Sequence, residues 1–299
     1  KIAVIGENAI KMMTVGGGSS SLKVKYETLP LDGIKSRFGK QAEVKYARGY
    51  VGDPGGEYNG VKSGQDLKDD RSPETLLNEA VELAKKSDFV IFVGGLNKSD
   101  HQDAEGVDRK SYGLPYNQDN VIAALAKANK NFAVVFVSGN AVAMPWIKEI
   151  PAIVQGWYLG SEAGNSLASV LAGDANPSGK LPFTFPVKLE DYPGNKEELA
   201  AGKGKDQKNP INITYNEGIF VGYRWHDTQK IKPLFSFGHG LSYTTFEFGK
   251  AKADKTTMGQ NDKITFTVTV KNTGKKAGAE VAQLYISDLK STLPRPAKE

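Results

Sequence analysis

The segment Ser99–Pro115, SDHQDAEGVDRKSYGLP, gathers Asp100, His101, Asp103, Glu105 and Asp108 into one stretch behind an apolar run. Two readings are open: a solvated acidic connection, or a loop in which one carboxylate does chemistry. Asp100 and Asp103 read as solvated loop residues. Glu105 differs, because Asp108 and Arg109 follow it in the pattern E-x-x-D-R. An acid and a base that close can pair and fix the loop, which leaves the third carboxylate as a candidate general acid with a tunable pKa. The order D-H-x-D-x-E has no standard ligand spacing, so no metal is expected here. Ser138 in FVSGNAV stands at a strand end, but G-x-S-x-G is absent and His101, His226 and His239 lie outside any supporting motif, which argues against serine hydrolysis.

A second stretch, VGGGSSSLKV from Val15, tempts a phosphate-loop reading. In a phosphate cradle the glycines sit directly between a strand end and a helix N-terminus, so that amides converge on the anion. Here the glycines at 16 to 18 come well after Gly6, no G-x-G-x-x-G or G-K-[ST] is present, and no capped amphipathic helix is expected to follow. What stays open is a mobile Gly/Ser loop, or one whose backbone at Gly18 and hydroxyls of Ser19 and Ser20 approach a polar ligand.

Both stretches need a frame. Residues 2–5, 44–47, 89–93, 132–137 and 152–157 are short apolar runs of the kind that form strands buried on both faces. Helical patterns lie between them. SPETLLNEAVELAKK offers Ser72 as N-cap, Pro73 in the first turn, and Leu76, Leu77, Ala80, Val81 and Ala84 on one face. YNQDNVIAALAKAN repeats the pattern, as does SEAGNSLASVLAG, from Ser161 to a C-terminal Gly173. Strands alternating with helices predict an α/β fold with a mostly parallel sheet and helices on both faces. The glycine loop and the acidic loop then leave carboxyl ends of strands, where open α/β sheets place ligands.

Beyond NPSGKLPFTFP, residues 187–232 are polar and read as a long surface excursion carrying short strand candidates such as ITYNEGIFVGYRW. From Asp262 the period becomes two in DKITFTVTVKNTG, and AEVAQLYIS offers a partner strand. That predicts an α/β sandwich domain over 1–245 and a partial all-β, immunoglobulin-like module over 246–299. The remaining stretch is short of the ~100 residues a complete sandwich of that type needs. FGHGLSYTTFEF supplies Tyr243, Phe246 and Phe248 as anchors between the two, and Tyr223 and Trp225 read as packing residues.

Composition narrows the field. The chain has 299 residues, 39% of them apolar, and a net charge of +5 from 39 basic and 34 acidic residues spread along it, so no nucleic-acid partner is expected. Zero cysteines excludes disulfides and thiolate sites, and fits a reducing or an oxidising compartment equally. No run approaches the ~20 apolar residues of a membrane span. Lys1 opens directly on a strand, and both chain ends read as cuts.

Four runs, EGVDRKSYGLPYNQ, GWYLGSEAGNSLASVLAGDANPSGKLPFTFP, YNEGIFVGYRWHD and FSFGHGLSYTTFEF, together resemble the second half of glycoside hydrolase family 3, the β-glucosidase and β-xylosidase family. The resemblance runs in the same order over nearly the whole chain. It implies a missing N-terminal (β/α)₈-like barrel bearing an aspartate nucleophile, an α/β sandwich, and the start of a fibronectin type III-like domain. It assigns the general acid/base role to Glu105 and a structural role to Asp108 and Arg109, and it matches Gly17, Gly18 and Ser19 to a loop that in relatives can reach the sugar. No residue here matches the family's nucleophile motif, so hydrolysis is expected to require the barrel. The resemblance implies a terminal β-glucosyl oligosaccharide or glucoside as substrate, no cofactor and no metal, a secreted or periplasmic location, and it leaves room for a homodimer. A β-xylosidase, or a noncatalytic carbohydrate-binding or scaffold module, are the alternatives.

Overall fold

The computed structural model describes residues 1–14, 22–53, 57–58, 61–62, 64–99, 101–104, 109–194 and 215–299. In chain order it gives β1 (Ile2–Ile5), α1 (Pro30–Phe38), β2 (Val44–Ala47), a hairpin of β3 (Glu57–Tyr58) and β4 (Val61–Lys62), and α2 (Pro73–Lys85). Then follow β5 (Phe89–Gly95), α3 (Gln118–Ala128), β6 (Phe132–Val137), β7 (Ala152–Gln155) and α4 (Ala163–Ala172). The five apolar runs all become strands of one parallel sheet, in the order β2-β1-β5-β6-β7. Central β6 is buried at every position, whereas edge strand β2 alternates. The burial pattern thus follows position in the sheet.

Within the central strands successive side chains serve opposite faces. Ile5, Val90, Phe92, Val134 and Phe136 pack with Ala80 and Ala84 of α2 and with Val121, Ile122 and Leu125 of α3. Val4, Ile91, Val93, Val135 and Val137 pack with Leu31 and Ile34 of α1 and Leu167 and Ala168 of α4. Helices therefore cover both faces, as expected. Ser72 caps α2 by accepting the Thr75 amide at 3.1 Å, with Pro73 in the first turn, and α4 ends at Gly173 in the left-handed region.

Helix α1 departs from the sequence reading, which expects no capped helix after the glycine loop. Its N-cap, Leu29, makes no side-chain cap, and Gly33 interrupts its apolar face. Packing explains the glycine. A Cβ on Gly33 would lie 2.1 Å from the Gly164 carbonyl, and one on Gly164 would lie 2.1 Å from the Leu29 oxygen. Helices α1 and α4 cross backbone against backbone, a contact that local propensity cannot reveal.

The C-terminal part corrects two more expectations. Residues 223–225, the end of the strand candidate ITYNEGIFVGYRW, instead open helix α5 (Tyr223–Gln229), in which His226 is buried. Tyr223 packs on Phe237 and Tyr285, and the Trp225 indole donates to the Asp191 carbonyl at 3.0 Å, so tertiary packing overrides a locally strand-like run. Beyond it come β8 (Phe246–Phe248), β9 (Lys252–Ala253), β10 (Phe266–Thr267) and β11 (Val270–Asn272), paired antiparallel as β8 with β11 and β9 with β10. The segment AEVAQLYIS is not the partner strand. Val281, Leu284 and Ile286 are exposed, and alternation without a sheet to join does not make a strand.

Of the expected anchors, Tyr243 ties the C-terminal part to the sandwich, whereas Phe248 is exposed. Asn176, just past α4, accepts from Ser242 Oγ (2.9 Å) and the Tyr243 amide (2.7 Å) and donates to the Ala277 carbonyl (2.8 Å). Tyr243 Oη donates to the Val170 carbonyl of α4 at 2.9 Å. Among the described residues no helix is long and apolar enough to cross a membrane.

Candidate active-site rim

The chain leaves β1 first toward β2 and then crosses to β5 on the other side, so the switch point of the sheet lies between β1 and β5. A crevice outside the carboxyl ends is expected there. Gly6 and Gly95 end these strands with the same φ of 119°, and a Cβ on Gly6 would meet the Val93 carbonyl at 2.1 Å. Across the switch point Asn8 Nδ2 donates to the Leu96 carbonyl at 2.9 Å.

Three of the described carboxylates take main-chain amides and hold the loops of this rim at their bases. Glu7, 1% exposed, accepts the Gly52 amide at 2.5 Å and Arg48 Nη2 at 2.7 Å, and pairs with Lys11 Nζ at 3.3 Å. Lys11 also donates to the Asp53 carbonyl at 2.6 Å, and Asp53 accepts the Ser99 hydroxyl at 2.5 Å, which joins the loop after β2 to the loop after β5. Glu27 accepts the amides of Met13 (2.7 Å) and Thr14 (3.1 Å) and the Thr14 hydroxyl, closing the base of the 15–26 segment. Asp103 is the third.

Asp103 Oδ2 accepts the Gly139 amide at 2.6 Å and the Tyr158 hydroxyl at 2.8 Å, while Oδ1 accepts Asn140 Nδ2 at 2.9 Å. The expectation of a solvated Asp103 is therefore wrong. Its donors come from the chain after β6 and after β7, elements far away in sequence. The first part of the acidic loop is also tied to itself. Asn97 Oδ1 accepts the Ser99 amide (2.7 Å), Gln102 Oε1 accepts the Asn97 amide (2.9 Å), and the Asp103 amide donates to the Asn97 carbonyl (2.9 Å). Lys98 lies over the Tyr158 ring at 5.1 Å, and burial lowers its pKa against the pull of Glu27 and Asp103.

Glu105, the expected acid/base, lies outside the described residues, as do Asp100 and Asp108. So do Gly17, Gly18, Ser19 and Ser20 of the glycine loop. Arg109 is described: Nη1 donates to the Ala141 carbonyl (2.6 Å) and Nη2 to the Tyr112 carbonyl (3.0 Å). It thus braces the far side of the acidic loop. Ser138 is fully buried, donates to the Asn140 carbonyl (3.0 Å) and accepts Gln155 Nε2 (3.0 Å), a bridge between the ends of β6 and β7. Among the described residues no group of three His, Cys, Asp or Glu is placed to hold a metal ion.

Sequence reasoning missed Glu7, Lys11, Arg48, Glu27 and Tyr158. The one local signal was Glu7 with Lys11 at i,i+4, directly after a buried strand.

A parallel sheet with helices on both faces and braced loops beyond its carboxyl edge, beside the switch point, defines an α/β domain of the open-sheet class, in which ligands are placed at that edge. The chain belongs to glycoside hydrolase family 3: residues 1–223 match the Glycosyl hydrolase family 3 C-terminal domain. Over its full length it is 51% identical to Beta-glucosidase BoGH3A of Bacteroides ovatus, of which it covers 39%. The crystal structure of the GH3 beta-glucosidase of Bifidobacterium adolescentis superposes on 100% of this chain with a TM-score of 0.81 at 34% identity, 40% of that chain being covered. The beta-glucosidase of Kluyveromyces marxianus, solved in complex with glucose, superposes with a TM-score of 0.82 at 27% identity, over 100% of this chain and 51% of that one. The chain thus spans 39% and 36% of the length of the first two curated relatives it matches.

Proposed function

We propose that this chain is the C-terminal part of a retaining, exo-acting β-glucosidase that releases terminal β-D-glucosyl residues from oligosaccharides. Glu105 serves as general acid/base to an aspartate nucleophile carried by an N-terminal barrel. The observation that carries the reading is the E-G-V-D-R run in the loop after β5, beside the switch point, in a chain that is 51% identical to a β-glucosidase. Retaining hydrolysis needs two carboxyl groups ~5–5.5 Å apart. The nucleophile attacks the anomeric carbon while Glu105 gives its proton to the departing oxygen. The same Glu105, now a carboxylate, then takes a proton from the water that releases glucose with retained configuration. A secreted or periplasmic site of action goes with this substrate and is checked by cell fractionation.

The test replaces Glu105 by Ala in the barrel-containing polypeptide and compares aryl β-glucosides with good and poor leaving groups. Glu105→Ala should cost on the order of 10²–10⁴-fold on poor leaving groups, far less on good ones, and azide should restore turnover of activated substrates. Equal losses on both, with no azide rescue, would remove Glu105 from the role. A parallel assay on aryl β-xylosides separates the glucosidase from the xylosidase reading.

A further inference from the structure

We infer that Asp103 is a positioning residue for the general acid, its carboxylate fixing the chain two residues ahead of Glu105; the inference rests on the acid/base reading of Glu105. Asp103 precedes Glu105 by two residues, a separation that chain geometry limits to about 7 Å. Its carboxylate has three donors, from the Gly139 amide, the Asn140 side chain and the Tyr158 hydroxyl, at 2.6, 2.9 and 2.8 Å. Hydrogen bonds to an ionised acceptor are about twice as strong as neutral ones. A solvated loop aspartate would have no such set.

Arg109, the first described residue beyond Glu105, is held on the same stretch. Arg109 donates to the Ala141 carbonyl at 2.6 Å, so residues on both flanks of 105–108 grip the short run Gly139–Ala141 at the carboxyl end of β6. The grip is chemically complementary: the first flank accepts from that run and the second donates to it. A general acid gains only when its proton lies on the line to the departing oxygen, and a displacement near 1 Å can cost about 10²-fold. Asp103→Asn puts an amide NH₂ where one of the donors now points, which removes an acceptor and turns the loop. Tyr158→Phe removes one donor and leaves the carboxylate in place.

In the barrel-containing polypeptide, kcat/KM is measured for both variants on aryl β-glucosides ranked by leaving-group pKa. Expected is a loss that steepens as the leaving group worsens, about 10-fold or more greater on the poorest than on the best for Asp103→Asn, and a smaller slope of the same sign for Tyr158→Phe. KM on good leaving groups should stay at or below the parent value, because Glu105 also serves as base in the second step. A merely structural role lowers all substrates alike, and a flat loss, or none, in well-folded variants overturns the inference. If Asp103→Asn melts below the assay temperature, the Tyr158→Phe slope decides. Glu105→Ala in the same series separates the two ideas: a steep slope for it with flat Asp103 and Tyr158 variants overturns only the positioning role, whereas a flat slope for Glu105→Ala overturns the acid/base reading together with the role built on it.

Discussion

Single residues on this rim act mostly by holding backbone. Glu7 is the extreme case, a carboxylate enclosed with Lys11 and Arg48, at 1%, 1% and 5% exposure. Removing one partner of such a buried set leaves the others uncompensated, which typically costs about 3–5 kcal/mol. Glu7→Ala should lower the urea midpoint of unfolding accordingly, and replacing all three residues with apolar ones should cost less than the single change. Nearby, Asp69 pairs with Arg71 at 2.6 Å and Arg48 at 3.3 Å, and Arg71 above all holds its carboxyl well below the usual carboxylate range. A folded-state pKa below the unfolded value near ~3.9 means the stabilisation is full above that pH and is lost as the pH falls. Asp69→Asn should therefore destabilise the protein at neutral pH, and the gap to the parent should start to narrow near pH ~4 and close only below the depressed folded-state pKa; a constant gap in acid unfolding curves would contradict this. In the sequence these residues are charges and nothing more. Neither the burial of Glu7 nor the donors around Asp103 can be read from neighbours in the chain, because Gly139 and Tyr158 follow other strands.

Elements whose signal is local are legible in the sequence. The five strands follow from apolar runs, and α2 from Ser72 and Pro73, because burial on both faces and an N-cap leave marks in adjacent residues. Helix α1 is not legible in this way, since its strongest feature is a glycine that serves a helix more than a hundred residues away. Gly33→Ala tests this. Propensity alone would favour Ala by about 1 kcal/mol, but at a backbone crossing with no room for a Cβ the change should instead destabilise by about 1–3 kcal/mol. Chemical denaturation decides the sign. The converse holds at AEVAQLYIS and at residues 223–225, where the patterning suggests strands that do not form. Patterning states which side chains seek cover; the partner decides the backbone form.

For the molecule as a whole, the sandwich and the C-terminal β pairs are joined by directed polar contacts as well as by apolar packing. Asn176 makes three hydrogen bonds to the 242–277 region, and Lys180 pairs with Glu280 at 2.7 Å in a largely enclosed setting. Asn176→Ala should leave hydrogen exchange in β5 and β6 unchanged while speeding it at the amide of Tyr243, which now donates to Asn176. Uniform acceleration across the sheet would show instead that the two parts open as one.

The three rim carboxylates share one more property: Glu7, Glu27 and Asp103 each accept a main-chain amide from a loop, those of Gly52, of Met13 and Thr14, and of Gly139. Such an anchor is blind to the letters of the loop it holds, because every residue but proline carries the same amide. The loops can be rewritten between their anchors while the anchors keep the chain in place. This marks out where substitution is tolerated: libraries at 15–21 should yield a high fraction of folded clones, and the same libraries placed on the carboxylates should not.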